Sequence, residues 1–149
     1  MGVIVNQPLE NVDFATLLEQ ADIPTGAGDH QIPVYFGGPV DRARGFVLHS
    51  GDYQHEDMLI HQNNIAVSAN TGILRDMAGG KGPRKSLLVV GYAGWAPGQL
   101  EQEIESNSWI TVPASEELLF SVDDEMKWGT ASQSLGVDMS RYSTIVGHA

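Results

Sequence analysis

The sequence predicts one α+β domain spanning residues 1–149, built on a bent, mostly antiparallel sheet with flanking helices. Three observations carry this. Short β-branched and aromatic runs separated by turn residues cluster at residues 32–68. Segments of helical period are interspersed with them rather than alternating strictly with strands, which argues against a regular parallel sheet. No segment recurs at a fixed period, so solenoids and propellers are excluded.

Residues 2–8, Gly2-Val3-Ile4-Val5-Asn6-Gln7-Pro8, read as a buried strand ending at a turn. Phe14, Leu17, Leu18 and Ala21 fall at i, i+3, i+4 and i+7, which predicts a first helix after a capping Asn11 or Asp13 and before Pro24. Residues 25–31 are small and polar, a surface loop. Strands are expected at 32–36, 46–49, 58–61 and 65–68, the last two joined through Asn63-Asn64. A helix over 72–78 should stop at Gly79-Gly80, where a left-handed cap costs least. Leu87-Leu88-Val89-Val90 is apolar throughout, as a strand covered on both faces would be. Pro97 opens a helix with Leu100 and Ile104 inward and Glu101, Glu103 and Glu105 on the wet arc. A strand follows at 109–112. The last helix spans 123–135, with Trp128, Ala131 and Leu135 inward and Gly136 as its stop.

Composition excludes several classes of function. With no cysteine, thiol catalysis, thiolate zinc sites and iron–sulfur clusters are ruled out, and a disulfide-stapled secreted module is disfavoured. The formal charge of −11 would still be −6 with all five histidines protonated. An acidic surface of pI near 4.6 repels phosphate backbones and anionic lipid. Six basic residues against ten acidic precede Ser86, and two against nine follow, so the polarity along the chain is weak. No membrane partner and no direct nucleic-acid partner are therefore expected. The start of the chain lacks the basic and long apolar stretches of a signal peptide, and no apolar run is long enough to span a bilayer, so a cytoplasmic location is expected.

Candidate chemistry is sparse. The segment 91–100, Gly91-Tyr92-Ala93-Gly94-Trp95-Ala96-Pro97-Gly98-Gln99-Leu100, joins the most apolar strand to a helix start, where free N–H groups and glycines allow close approach of a ligand or of another backbone. Its glycine spacing matches neither the P-loop nor the dinucleotide fingerprint, and neither does that of 79–86, where Pro83 also removes a donor. His49, His55 and His61 recur every six residues among acids, but six residues of strand span about 20 Å, and metal ligands must all lie about 2 Å from one ion. No metal site and no cofactor is expected. There is no Gly-x-Ser-x-Gly elbow, and the acids of 101–105 and 123–125 fit solvation and capping better than acid–base catalysis. No catalytic residue is assigned.

Gly2-Val3-Ile4-Val5-Asn6-Gln7-Pro8, Phe36-Gly37-Gly38-Pro39-Val40, Gly45-Phe46-Val47-Leu48-His49, Gly91-Tyr92-Ala93-Gly94-Trp95, Pro97-Gly98-Gln99-Leu100-Glu101, the stretch 109–119 and the terminal Gly147-His148-Ala149 occur in an order that resembles the bacterial YqgE/AlgH family over the whole chain. The resemblance implies an α+β domain whose bent, bifurcated sheet closes into a pseudo-barrel. It implies no enzymatic activity, and it brings a transcriptional-regulator label through a branch associated with alginate control. Relative to family members the chain is expected to lack an upstream segment of a few dozen residues, and 26–31 looks like an insertion. The acidity conflicts with DNA recognition, so the expected function is a non-enzymatic accessory or regulator that binds a protein partner or a small ligand. The candidate crevice combines Gly37, Gly38, Pro39, His49, Tyr92, Gly94, Trp95, Gln99 and His148. Two alternatives are a small hydrolase or phosphate-ester enzyme using His49 or His148, and a direct DNA-binding regulator.

Overall fold

In the computed structural model, which describes residues 1–26 and 32–136, the chain folds in the order α1 (Phe14–Gln20), β1 (Val34–Phe36), β2 (Val40–Ser50), β3 (Met58–Gln62), β4 (Ile65–Ser68), α2 (Thr71–Ala78), β5 (Ser86–Tyr92), α3 (Gln99–Glu105), a short π-helix (Glu117–Ser121) and α4 (Asp124–Ser134). Asp13 caps α1 by accepting the Thr16 backbone N–H at 2.8 Å. Asn70 does the same for Ile73 at the start of α2, which ends at Gly79 followed by Gly80 at φ +75°. Asn63 and Asn64, both at positive φ, form the tight turn between β3 and β4.

The strands form one sheet in the order β1-β5-β2-β4-β3; β1 and β5 run parallel and the other neighbours antiparallel. The α+β class and the mostly antiparallel sheet thus follow the sequence. The pseudo-barrel does not: the sheet is open, with β1 and β3 at its edges. The two edges are treated differently. Residues 2–9 run beside β1 and the end of β5, through hydrogen bonds from Ile4 N to Gly37 O, Phe36 N to Gln7 O, and Gly2 N to Ala93 O, all near 2.9 Å. That segment makes isolated bridges rather than the expected strand. Among the described residues β3 carries no such cover, and its pairing with β4 is broken by a register shift around Leu59.

Both faces of the sheet are buried over β1, β4, β5 and the second half of β2, whereas β3 is largely exposed. Val34, Val47 and Leu88 pack under α1 and α2 against Phe14, Leu18 and Ile73, while Tyr35, Phe46, Leu48, Leu87 and Val89 form a second cluster on the opposite face with Val3, Val5 and Phe120. Successive β5 side chains therefore enter different cores, which is why 87–90 is apolar without alternation. Phe14, Leu18, Phe46 and Ile73 are fully buried, each contributing on the order of 1.5–3 kcal/mol relative to exposure.

Where β1 turns into β2, the chain crosses the end of β5 at contact distance. A Cβ on Gly37 would lie 2.3 Å from Gly91 O, and one on Gly38 (φ +155°) 2.1 Å from the Tyr92 carbonyl carbon. Only glycine fits both positions.

Three further expectations are corrected. Residues 109–112 form no strand. In α3, Ile104 is exposed and Glu103 is drawn inward. In α4, Trp128 and Leu135 are exposed, and Lys127 is buried instead; one residue is about 100° of helix rotation. The turn of α4 is set by Lys127, whose ammonium donates to Val5 O at 2.7 Å and pairs with Asp124 at 2.7 Å. Tyr35 Oη donates to the same carboxylate. Among the described residues, no helix is long and apolar enough to cross a membrane.

Candidate functional site: a tryptophan-walled groove

Beyond the glycine crossing, Ala93 is bridged to Gly2, and the chain continues through Trp95 to α3. Gly98, at φ +78°, lets the helix begin. Gln99 folds back: its Oε1 accepts the Ala96 N–H and its Nε2 donates to Glu103 Oε1, both at 3.0 Å. Glu103 lies one turn along α3 from Gln99, and its Oε2 accepts both the Trp95 Nε1–H at 3.1 Å and the Trp109 Nε1–H at 2.6 Å. The two indoles meet edge to face, with centroids 6.1 Å apart and planes at 72°. One carboxylate thus holds two tryptophans by charge-assisted hydrogen bonds.

These rings wall an open groove of about 550 Å³. Residues 2–6, Pro39, Ala93, Leu118, Leu119, Trp128 and Ala131 complete its lining. Lys127, the single ionisable side chain in the lining among the described residues, is only 5% exposed. Trp128 is 58% exposed. All three tryptophans of the chain therefore converge on one apolar groove.

The structure sorts the expected crevice residues into different places. Pro39 and Trp95 line the groove, and Gln99 braces it through Glu103. Gly37 and Gly38 lie at the backbone crossing, so another main chain fills the space beside them. Tyr92 packs edge to face on Phe46 at 6.1 Å. Gly94 faces open space. His49 is elsewhere: it pairs with Ser86, while Tyr92 ends β5 six residues away, a span of about 20 Å. His148 lies outside the described residues.

At His49 stands a buried polar relay. His49 and Ser68 are both 0% exposed, and His49 Nε2 lies 2.8 Å from Ser68 Oγ. His55 Nε2 approaches the same hydroxyl at 2.8 Å. The proton order follows from the outer partners. Asp57 N–H donates to His55 Nδ1 at 3.1 Å, so the His55 proton sits on Nε2 and is given to Ser68. His49 Nδ1, 3.0 Å from the Ser50 carbonyl, must donate, so its Nε2 accepts the Ser68 hydroxyl proton. Tyr53 closes the cluster edge-on to His49 at 5.6 Å. Burial holds the His49 pKa below its ordinary value; the Ser50 carbonyl opposes this, and His55 adds to it. His61 takes no part in the relay, and among the described residues no three histidine, aspartate or glutamate side chains gather as a metal site.

Sequence reasoning missed Trp109, Trp128, Glu103 and residues 2–6 as groove elements. Trp109 was assigned to a strand and Trp128 to a buried stripe, and Glu103 carries no periodic sign of its partners. The convergence of three large amphipathic rings was the available signal.

The AlgH-like family model matches residues 1–140. A UPF0301 protein of Jannaschia sp. (strain CCS1) is 50% identical over all of this chain and 79% of its own length. One from Cereibacter sphaeroides (strain ATCC 17023) is 44% identical, with 82% of its length covered. The solution structure of the AlgH protein from Pseudomonas aeruginosa superimposes with a TM-score of 0.76 at 38% identity, over all of this chain and 79% of that one. Protein DIP2367 from Corynebacterium diphtheriae shares the fold at 21% identity, with a TM-score of 0.66 over 96% of this chain and 74% of that one. Together with the matching fold, these place the chain in the AlgH-like family of UPF0301 proteins.

Proposed function

We propose that this chain is a non-enzymatic binding protein of the cytoplasm, and that the tryptophan-walled groove takes an apolar segment of a partner protein. The carrying observation is that all three tryptophans line one open apolar groove. Trp is enriched among residues that dominate binding energy, and apolar patches left open on a surface mark interaction sites. Any effect on transcription would then run through that partner. The charge of −11 disfavours direct DNA binding; Arg84 pairs with Glu116, Lys85 donates to Ser121, and Arg42 and Arg44 lie over Phe36 and Phe46, which leaves Arg75 and Lys81 as a small exposed basic group. The hydrolase alternative has the short His49–Ser68 contact in its favour, but neither group reaches solvent.

The uncharged apolar dye Nile red tests the groove. The wild-type chain should bind it with a blue-shifted emission, and Trp128→Ser should lose most of that signal while keeping its stability within about 0.5 kcal/mol, as an exposed substitution does. Equal dye binding by both proteins would reject the groove as the site.

A further inference from the structure

We propose that the partner segment seated in this groove carries an arginine or lysine side chain, whose cation lies against the indole faces of Trp95, Trp109 and Trp128. This rests on the groove being a binding site and adds the charge of what it binds.

The N–H edges of Trp95 and Trp109 are both committed to Glu103. What these indoles have left to offer a partner is π surface. A ring face carries the negative side of the aromatic quadrupole and attracts cations. A carboxylate accepting both N–H groups adds negative charge behind the rings and draws electron density into them. Trp128, 58% exposed on α4, brings a third ring to the same groove.

Lys127, the one cation in the lining among the described residues, does not reverse this sign. Its ammonium is matched by Asp124 at 2.7 Å, donates to Val5 O, and sits 5.0 Å from the Tyr35 ring centroid. The helices beside the groove are acidic even with Asp124 spent on Lys127: α3 bears Glu101, Glu103 and Glu105, and the first turn of α4 carries Glu125. With −11 over the chain, the far field also favours a cationic segment and repels an acidic one. Apolar contact supplies burial, and the ring faces supply the choice of charge.

Three capped peptides of alternating leucine and alanine, differing only in a central arginine, norleucine or glutamate, test this on the full chain, with binding read from the indole N–H resonances in two-dimensional NMR. Arginine should bind about 5- to 30-fold more tightly than norleucine, the advantage expected for a cation on indole faces, and glutamate should bind most weakly. Trp128→Leu, which keeps an apolar surface, should shrink the arginine advantage while leaving norleucine binding. Equal affinity for arginine and norleucine overturns the charge inference and leaves the groove standing. Failure of all three peptides to shift the resonances overturns the groove itself. An arginine advantage that persists unchanged in both Trp128→Leu and Glu103→Gln traces to net charge rather than to the rings, and also overturns the inference.

Discussion

The histidine relay under α2 and the tryptophan groove beside α3 and α4 invert the usual placement of residues. In the first, His49 and Ser68 lie wholly inside with His55 half-buried beside them, and each hydrogen of the His49–Ser68–His55 chain has one acceptor. In the second, large rings line an open groove, Trp95 and Trp109 held to each other edge to face and to Glu103 by their N–H groups, and Trp128 exposed. Buried polar groups that are fully paired are part of the architecture. Exposed apolar groups that remain uncovered are what the architecture presents to something else. The chemically suggestive residues are thus structural, and the bland ones carry the site.

That contrast can be broken most forcefully at Ser68. Ser68→Ala removes the central hydroxyl, leaves the buried His49 acceptor unpaired and deprives the half-buried His55 of its acceptor, which should cost about 1–3 kcal/mol in denaturant unfolding. A loss below about 0.5 kcal/mol would show that the relay does not support the fold.

A smaller effect comes from pH. The folded chain keeps His49 below its ordinary value of 6.5, so the unfolded chain binds the extra proton first. This stabilisation is complete above pH 6.5 and falls as pH drops through that value toward the lower folded pKa, by at most about 1.4 kcal/mol per unit. Unfolding free energies between pH 7 and 5 should show this slope, and His49→Gln should flatten it. Asp13 and Asp52, which their hydrogen bonds hold below the ordinary carboxylate value, lose their contribution at more acidic pH.

The smallest effect is expected at Glu103. Glu103→Leu frees two partly exposed indole N–H groups to water, so stability should fall by only about 1 kcal/mol. The ring pair should nonetheless lose its geometry, seen as a change in near-ultraviolet circular dichroism. A cost comparable to that of Ser68→Ala would make the bracket a core element and remove the distinction between the two regions.

What was legible in the sequence was whatever depends on near neighbours. The Asp13 cap, the Asn63-Asn64 turn, the Gly79-Gly80 stop and the double-sided strand around Val89 all follow from residues a few positions apart. The faces of α3 and α4 were misread because distant partners decide them. Glu103 turns inward for two indoles brought to it by turns, and Lys127 for a carbonyl 122 positions away. Such charged side chains enter a helix's inner face against its apolar period, so periodicity assigns the wrong stripe. The pseudo-barrel, implied by the family resemblance and not by the residues, is replaced by an open sheet, because closure depends on pairing between the outermost strands β1 and β3. Of the candidate crevice, Pro39, Trp95 and Gln99 were found near one another because they flank one crossing. His49 shared their residue character and not their place.

The glycine crossing bears on how this chain can vary. At Gly37 and Gly38 the most permissive residue becomes the least replaceable, since any side chain would displace the main chain of β5 and with it the wall of the groove. The rings of that groove are held by side chains instead, Trp95 and Trp109 by the Glu103 carboxylate. The molecule is therefore a rigid hinge-pin carrying an adaptable palm, able to change what it grips without relearning how to fold.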